Sequence, residues 1–261
     1  MTLPSIEFVK TPNGNFLVFA TDTIIPRCLK ANGGFELHLS QIAVEVFKRR
    51  GRTGVLVDAG AHIGTFSVPV SLATGCSVVA FEAQRVVGQM LGGNFLLNGI
   101  DRAWVKNVIL AGPGHANVAD IPAVDYSQPG NFGAYSVDAE LFGRESLARM
   151  RAATRTETVE VRTLDDFDLN DVFLIKLDVE GHELEVLKGG VRTLERNGYP
   201  PLLFEAWRDA WWQEKKQQLL RFVAELGYEV LAMDENFFAQ HRSTAHPLRL
   251  QAQAAGAVGA S

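Results

Sequence analysis

Four short apolar runs in this chain each end on an acid, and that pattern restricts the fold more than any other feature. They are Gly54-V-L-V-Asp58, Ser77-V-V-A-F-Glu82, Val172-F-L-I-K-L-Asp178 and Leu202-L-F-Glu205. None alternates apolar and polar residues as a half-exposed strand does. Each therefore reads as a strand buried on both faces, as in a parallel sheet covered by helices. Helical patterns lie between the runs. Residues 36–50 carry Leu39, Ile42, Ala43, Val46 and Phe47 at helical spacing, with Lys48, Arg49 and Arg50 before a stop at Gly51. Further helices are expected over about 62–72, 84–98, 183–196 and 211–226. Strands are expected at 15–20, 104–110, 159–164, 228–233 and near Phe237.

This order predicts an α/β fold with a doubly wound, mostly parallel sheet and helices on both faces. The stretch around 112–160 breaks the order. It is rich in Gly, Pro, Asn and Ser, including Gln128-P-G-N-F-G-A-Y-Ser136, and reads as an insertion or a substrate-facing loop. Sheets of this kind bind ligands beyond the carboxyl ends of their strands, so the exits at Asp58, Glu82, Asp178 and Glu205 are the places for chemistry.

At the first exit, Asp58-A-G-A-H-I-Gly64 places small residues before a helix start, where backbone can approach a ligand and free N–H groups face it. A tight turn with no ligand explains the same residues. Glu82 ends the next strand roughly 20 residues after the glycines, where dinucleotide-type sites put an acid on ribose hydroxyls. NAD does not fit: aligned on Gly64, the other two glycine positions hold Ala59 and Ala61, and no Gly-Lys-Ser/Thr phosphate loop is present. The acid-x-Gly-x-x-x-Gly turn instead resembles the first motif of class I S-adenosylmethionine (SAM) methyltransferases. At the third exit, Asp178, Glu180, His182 and Glu183 crowd around Gly181. Four ionisable groups there perturb one another and can supply an acid or base. Glu183 and Glu185 also suit the start of a helix. Asp, Glu and His are metal ligands as well, but no metal is expected.

V-D-A-G-A-H-I-G-T-F-S, F-E-A-Q, T-L-D-D, I-K-L-D-V-E-G-H-E-L-E-V-L-K-G and L-L-F-E, in that order, resemble the FkbM family of SAM-dependent methyltransferases. The resemblance covers roughly residues 34–242, with asparagine usual in the family where this chain has His62. It implies a Rossmann-like sheet with SAM as methyl donor. It also implies O-methylation of a sugar, polyketide or other natural product, with N-methylation of an amide or peptide side chain as the alternative. A SAM-binding protein of this fold without chemistry is a third reading. On this resemblance Asp58, Gly60, Ala61, His62 and Gly64 cradle the methionine part, Glu82 takes the ribose, and Ala83 and Gln84 lie by the adenine or ribose. Asp178 sits near the sulfonium, and His182 or Glu180 receives the acceptor's proton. Glu205, Asn131 and Tyr135, with Phe132, face the acceptor. The domains expected are residues 1–50, a strand and helix packing on the core; 51–245, the SAM-binding domain; and 246–261, an Ala/Gly-rich mobile tail.

Composition narrows the partners. The chain of 261 residues is 47% hydrophobic and 21% charged, with net charge −5 and no long basic run, so nucleic acid is not an expected partner. Asp58 and His62 interrupt the best apolar stretch, so no membrane span is expected. Cys28 and Cys76 match no metal spacing and read as reduced thiols. The N-terminus does not read as a signal peptide, and a cytoplasmic location is expected. Trp207, Trp211 and Trp212 offer an acceptor wall, a homodimer surface or a helix packed on the sheet.

Overall fold

The structure, a computed structural model, describes residues 4–51, 53–134, 155–207, 212–245 and 247–249. Tyr135, Trp211 and nearly all of the tail lie outside these residues. The chain opens with an antiparallel hairpin, β1 (Ile6–Thr11) and β2 (Gly14–Phe19), followed by α1 (Ile25–Asn32) and α2 (Leu37–Arg50). The central region contains β3 (Val55–Ala59), α3 (Ser67–Thr74), β4 (Ser77–Phe81), α4 (Arg85–Leu97) and β5 (Ala103–Lys106). Next come β6 (Val108–Leu110), β7 (Val118–Pro122) and β8 (Thr156–Arg162). The last part holds β9 (Val172–Leu177), α5 (Glu183–Lys188), α6 (Val191–Arg196), β10 (Leu202–Glu205), α7 (Gln213–Glu225), β11 (Tyr228–Met233) and β12 (Asn236–His241).

Seven strands form one sheet in the order β11-β12-β10-β9-β3-β4-β5. Neighbours from β10 to β5 pair in parallel, and β12 runs antiparallel to both β10 and β11. The chain leaves β3 toward β4 and β5, then returns to build β9 and β10 on the other side. The carboxyl ends of β3 and β9 therefore flank the switch point, where an open α/β sheet leaves a crevice.

Two cores explain the apolar runs. Leu56, Val78, Leu174 and Leu203 belong to one, with residues of the hairpin and α1 to α4. Val57, Val79, Ile175 and Leu202 belong to the other, with residues of α5 to α7. Successive strand residues thus point to opposite, equally apolar faces.

Four local expectations are corrected. Residues 104–110 form two strands in different sheets, because Asn107 interrupts them; its Nδ2 donates to the carbonyls of Glu82 and Ala83, both at 2.8 Å. The helix expected over 183–196 is two helices broken at Gly189 and Gly190. A Cβ on Gly189 would lie 2.1 Å from the Ala111 carbonyl oxygen. Residues 62–66 precede α3 instead of opening it. The irregular stretch contains an unexpected strand, β7, which forms a second, three-stranded sheet with β6 and with β8, the strand expected at 159–164. β1 and α1 had no counterpart in the sequence reading. Trp212 is buried, with its ring 5.2 Å from that of Trp207. Among the described residues no helix is long and apolar enough to cross a membrane.

Candidate active site

One cavity opens over the switch point, and the turn after β3 forms part of its wall through Gly60, Ala61 and His62. Gly60 has φ +78°, and a Cβ there would sit 1.7 Å from the Asp178 carbonyl oxygen. Glycine is therefore needed to let two strand exits pass, in addition to any ligand approach. Gly64, at φ +89°, does not line the cavity; a Cβ there would meet Leu91 and Val68. From α4, Asn94 braces this turn by donating to the Ile63 carbonyl at 2.9 Å while bonding Leu17 of the hairpin.

Asp58 does not reach the cavity either. Its side chain has no exposure and points to Lys176 of β9, whose Nζ lies 3.7 Å from Oδ1. Burial raises its pKa, and the Lys176 charge opposes that. The amine that this acid faces belongs to the protein itself.

Glu82 does line the cavity. Its Oε2 accepts the His62 N–H at 3.0 Å and its Oε1 accepts the Gln84 N–H at 2.8 Å. Burial pushes its pKa up to about 7 against these two bonds. Each oxygen keeps a further acceptor site, and apolar Ala83, Val108, Ile109 and Leu110 line the same cavity, so the residues fit a ribose with its base. Gln84 uses both ends of its side chain. Nε2 donates to the Phe132 carbonyl at 2.9 Å, and Oε1 accepts the Tyr126 hydroxyl at 2.9 Å. It clasps the 126–132 segment. Asn131, within it, lines the cavity.

His62 has φ +48°, and its ring nitrogen Nε2 is buried without a hydrogen-bond partner. Burial pushes its pKa down to about 4, against the pull of the Asp22 charge. The imidazole is therefore neutral near neutral pH.

The other half of the cavity is acidic, with Asp178, Glu180, His182, Glu205 and Glu36 lining it. Burial raises the Glu205 pKa to about 8, assisted by the Asp178 charge. Burial and the charges of Asp178, Glu205 and Glu183 raise that of Glu180 well above the usual range. Glu36, at the start of α2, is also raised by burial and Asp178. Carboxylate oxygens of Asp178, Glu180 and Glu205 all lie within 4.8 Å of one another. His182 is not in that group. Glu183 is a staple for the turn. Its buried Oε1 accepts the N–H groups of Val179 and Gly181, both at 3.1 Å.

Sequence reasoning missed two charged cavity residues. Lys176 was visible as a lone cation inside the apolar run V-F-L-I-K-L, whereas Glu36 follows a glycine pair and carries no local signal.

Residues 58–230 match the Methyltransferase FkbM domain family. The chain belongs to that family. It is a SAM-dependent methyltransferase, and the two strand exits and Glu82 described above fall within the matched span. The methyltransferase matches no curated protein. Among solved structures it is similar to cofactor-bound Rv0187 from MTB, with 11% identity, 85% of each chain covered and a TM-score of 0.48. It is also similar to a putative S-adenosyl-L-methionine-dependent methyltransferase from Methanococcus maripaludis, with 12% identity, 84% of this chain and 92% of that one covered, and a TM-score of 0.44. A third is the precorrin-6y C5,15-methyltransferase from Geobacter metallireducens, with 11% identity, 77% and 85% covered, and a TM-score of 0.44.

Proposed function

We propose that this methyltransferase methylates a hydroxyl of a small molecule such as a sugar or polyketide. One observation carries the reading: Glu82, Asp178, Glu180, His182 and Glu205 all line one cavity over the switch point. Bound there, SAM supplies a methyl group already activated by its sulfonium. Much of the remaining work is positioning. Glu82 takes the ribose hydroxyls, with Ala83 and Gln84 beside the base and Gly60, Ala61 and His62 beside the methionine part. Asp178 orients the reacting groups. The proton that leaves the acceptor hydroxyl passes to Glu180 or His182. His182 is favoured, because burial and the neighbouring carboxylates hold Glu180 toward its protonated form, which cannot take up a further proton. Glu205 and Asn131 hold the acceptor.

The domain division belongs to this reading. Phe16, Val18, Leu39 and Phe47 of residues 1–50 share a core with Leu56 of the 51–245 unit, which supports an N-terminal segment built onto the cofactor domain.

The test is methyl-labelled SAM offered with a panel of polyhydroxylated and amide acceptors, with products read by NMR. An O-methyl product is expected, and Asp178→Asn is expected to cut turnover more than thermal stability. An N-methyl product would overturn the acceptor assignment. Full turnover in Asp178→Asn would remove that residue from the site.

A further inference from the structure

Lys176 sits where β9 meets β3, at the wall of the cavity, and its side chain is only 9% exposed. Its Nζ donates to Asp178 Oδ2 at 2.9 Å and to the Gly60 carbonyl at 3.3 Å. The third oxygen near it is Asp58 Oδ1, at 3.7 Å. An ammonium has three N–H groups and no acceptor. Two protein oxygens therefore take two of its donors, and Asp58 Oδ1 is an ion-pair partner beyond hydrogen-bond length. Asp178 and Gly60 line the cavity, whereas Asp58 does not.

This arrangement is costly for a structural device. Both carboxylate oxygens of Asp58 are buried and make no close hydrogen bond, with only the Lys176 charge and the Ser67 hydroxyl acting on them to offset burial. Buried ion pairs are often no more stabilising than apolar residues of the same size. Lys176 also interrupts an otherwise apolar strand whose six residues are all buried. What the arrangement does achieve is to fix two oxygens, from different strand exits, at the cavity wall.

We propose that Lys176 is a positioning residue of the methyl-transfer site: it holds the Asp178 carboxylate and the Gly60 carbonyl in register, and Asp58 serves the site only as its buried counter-charge. The proposal rests on the reading of this cavity as the cofactor site. It reassigns Asp58, which the sequence alone suggested as a cofactor contact. Burial alone would lower the Lys176 pKa, but Asp178 and Asp58 raise it above the usual lysine value, so Lys176 stays charged and is not a base.

The experiment pairs thermal unfolding with calorimetric titration of S-adenosylhomocysteine into the full chain. Lys176→Met leaves Asp58 buried without a counter-charge and is expected to lower both Tm and affinity, the latter by about tenfold or more. Adding Asp58→Asn removes the orphaned charge. The pair is expected to recover most of the lost Tm while affinity stays about tenfold below that of the parent. Recovery of both would overturn the proposal, because the charges would then be structural only. Lys176→Arg keeps the charge but cannot set one nitrogen among the three oxygens. It is expected to fold and to bind about fivefold more weakly, and parental affinity in this variant would also overturn the proposal. Failure of the parent protein itself to bind would sink the cofactor reading, and this proposal with it.

Discussion

The turns that leave β3 and β9 use the same parts and deploy them in opposite ways. Each has an acid at the strand exit, a glycine at positive φ and a helix beyond. In the β3 turn the acid, Asp58, is turned inward to Lys176, and the chain presents backbone to the cavity. In the β9 turn the acid, Asp178, lines the cavity together with Glu180 and His182. The bracing differs as well. Glu82 of a neighbouring strand holds the His62 N–H of the first turn, whereas the second is held from within by Glu183. One turn is a passive wall secured by distant residues, and the other is a self-contained chemical loop. Identical ingredients in sequence therefore do not imply identical roles.

The largest expected effect probes the crowding of the first turn. Gly60→Ala places a Cβ against the Asp178 carbonyl at an unfavourable φ, and is expected to cost about 3 kcal/mol or more in denaturant unfolding. Gly181→Ala, in the self-braced turn at φ +97°, is expected to cost only about 1 kcal/mol. Equal losses would erase the distinction.

Next in size is the loss of bracing. Glu82→Ala frees the His62 and Gln84 amides and removes the ribose acceptor. S-adenosylhomocysteine affinity is expected to fall about tenfold or more by calorimetry. Glu183→Ala frees the amides of Val179 and Gly181 and is expected to cost about 2 kcal/mol of stability. Its effect on cofactor affinity should be smaller than that of Glu82→Ala, and the reverse order would mean that the second turn holds the cofactor.

A pH series sharpens the comparison further. Glu82 and Glu183 have pKa values raised to about 7, and Glu205 to about 8. Between the ordinary glutamate value and these raised values the folded chain binds more protons than the unfolded chain. Stability contributed by these groups therefore falls as pH rises from about 5 to about 8, then levels. Thermal melts without ligand should show that decline, with a shallower slope in Glu205→Gln. A slope of the opposite sign would refute the assignment.

The smallest effect is expected at His62→Asn. The αL backbone at φ +48° accommodates asparagine more readily than histidine, and a buried unpartnered ring nitrogen is removed. Stability should change by about 0.5 kcal/mol or less, measured by the same unfolding series.

The strands at 55–59, 77–81, 172–177 and 202–205 were legible because a strand buried on both faces is apolar at every position, a purely local signal. Glu82 was legible because its distance from the glycine turn is set by one strand–helix–strand unit. The break at Asn107 was not, since its cause is a hydrogen bond from that side chain to the exit of another strand. Lys176 was visible in the run, but its partners lie on two strand exits, one of them more than 100 residues away in sequence.

From sequence alone came the alternation of elements, the four acidic exits, the FkbM resemblance and the position of the crevice, because each depends on short-range pattern. Only the tertiary structure decided which way each acid faces. It turned Asp58 inward and Asp178 outward, made Glu183 a staple and gathered Glu205 and Glu36 with Glu180. Those outcomes depend on how buried charges find partners across strands, and a carboxylate at a strand end carries no local mark of the face it will occupy.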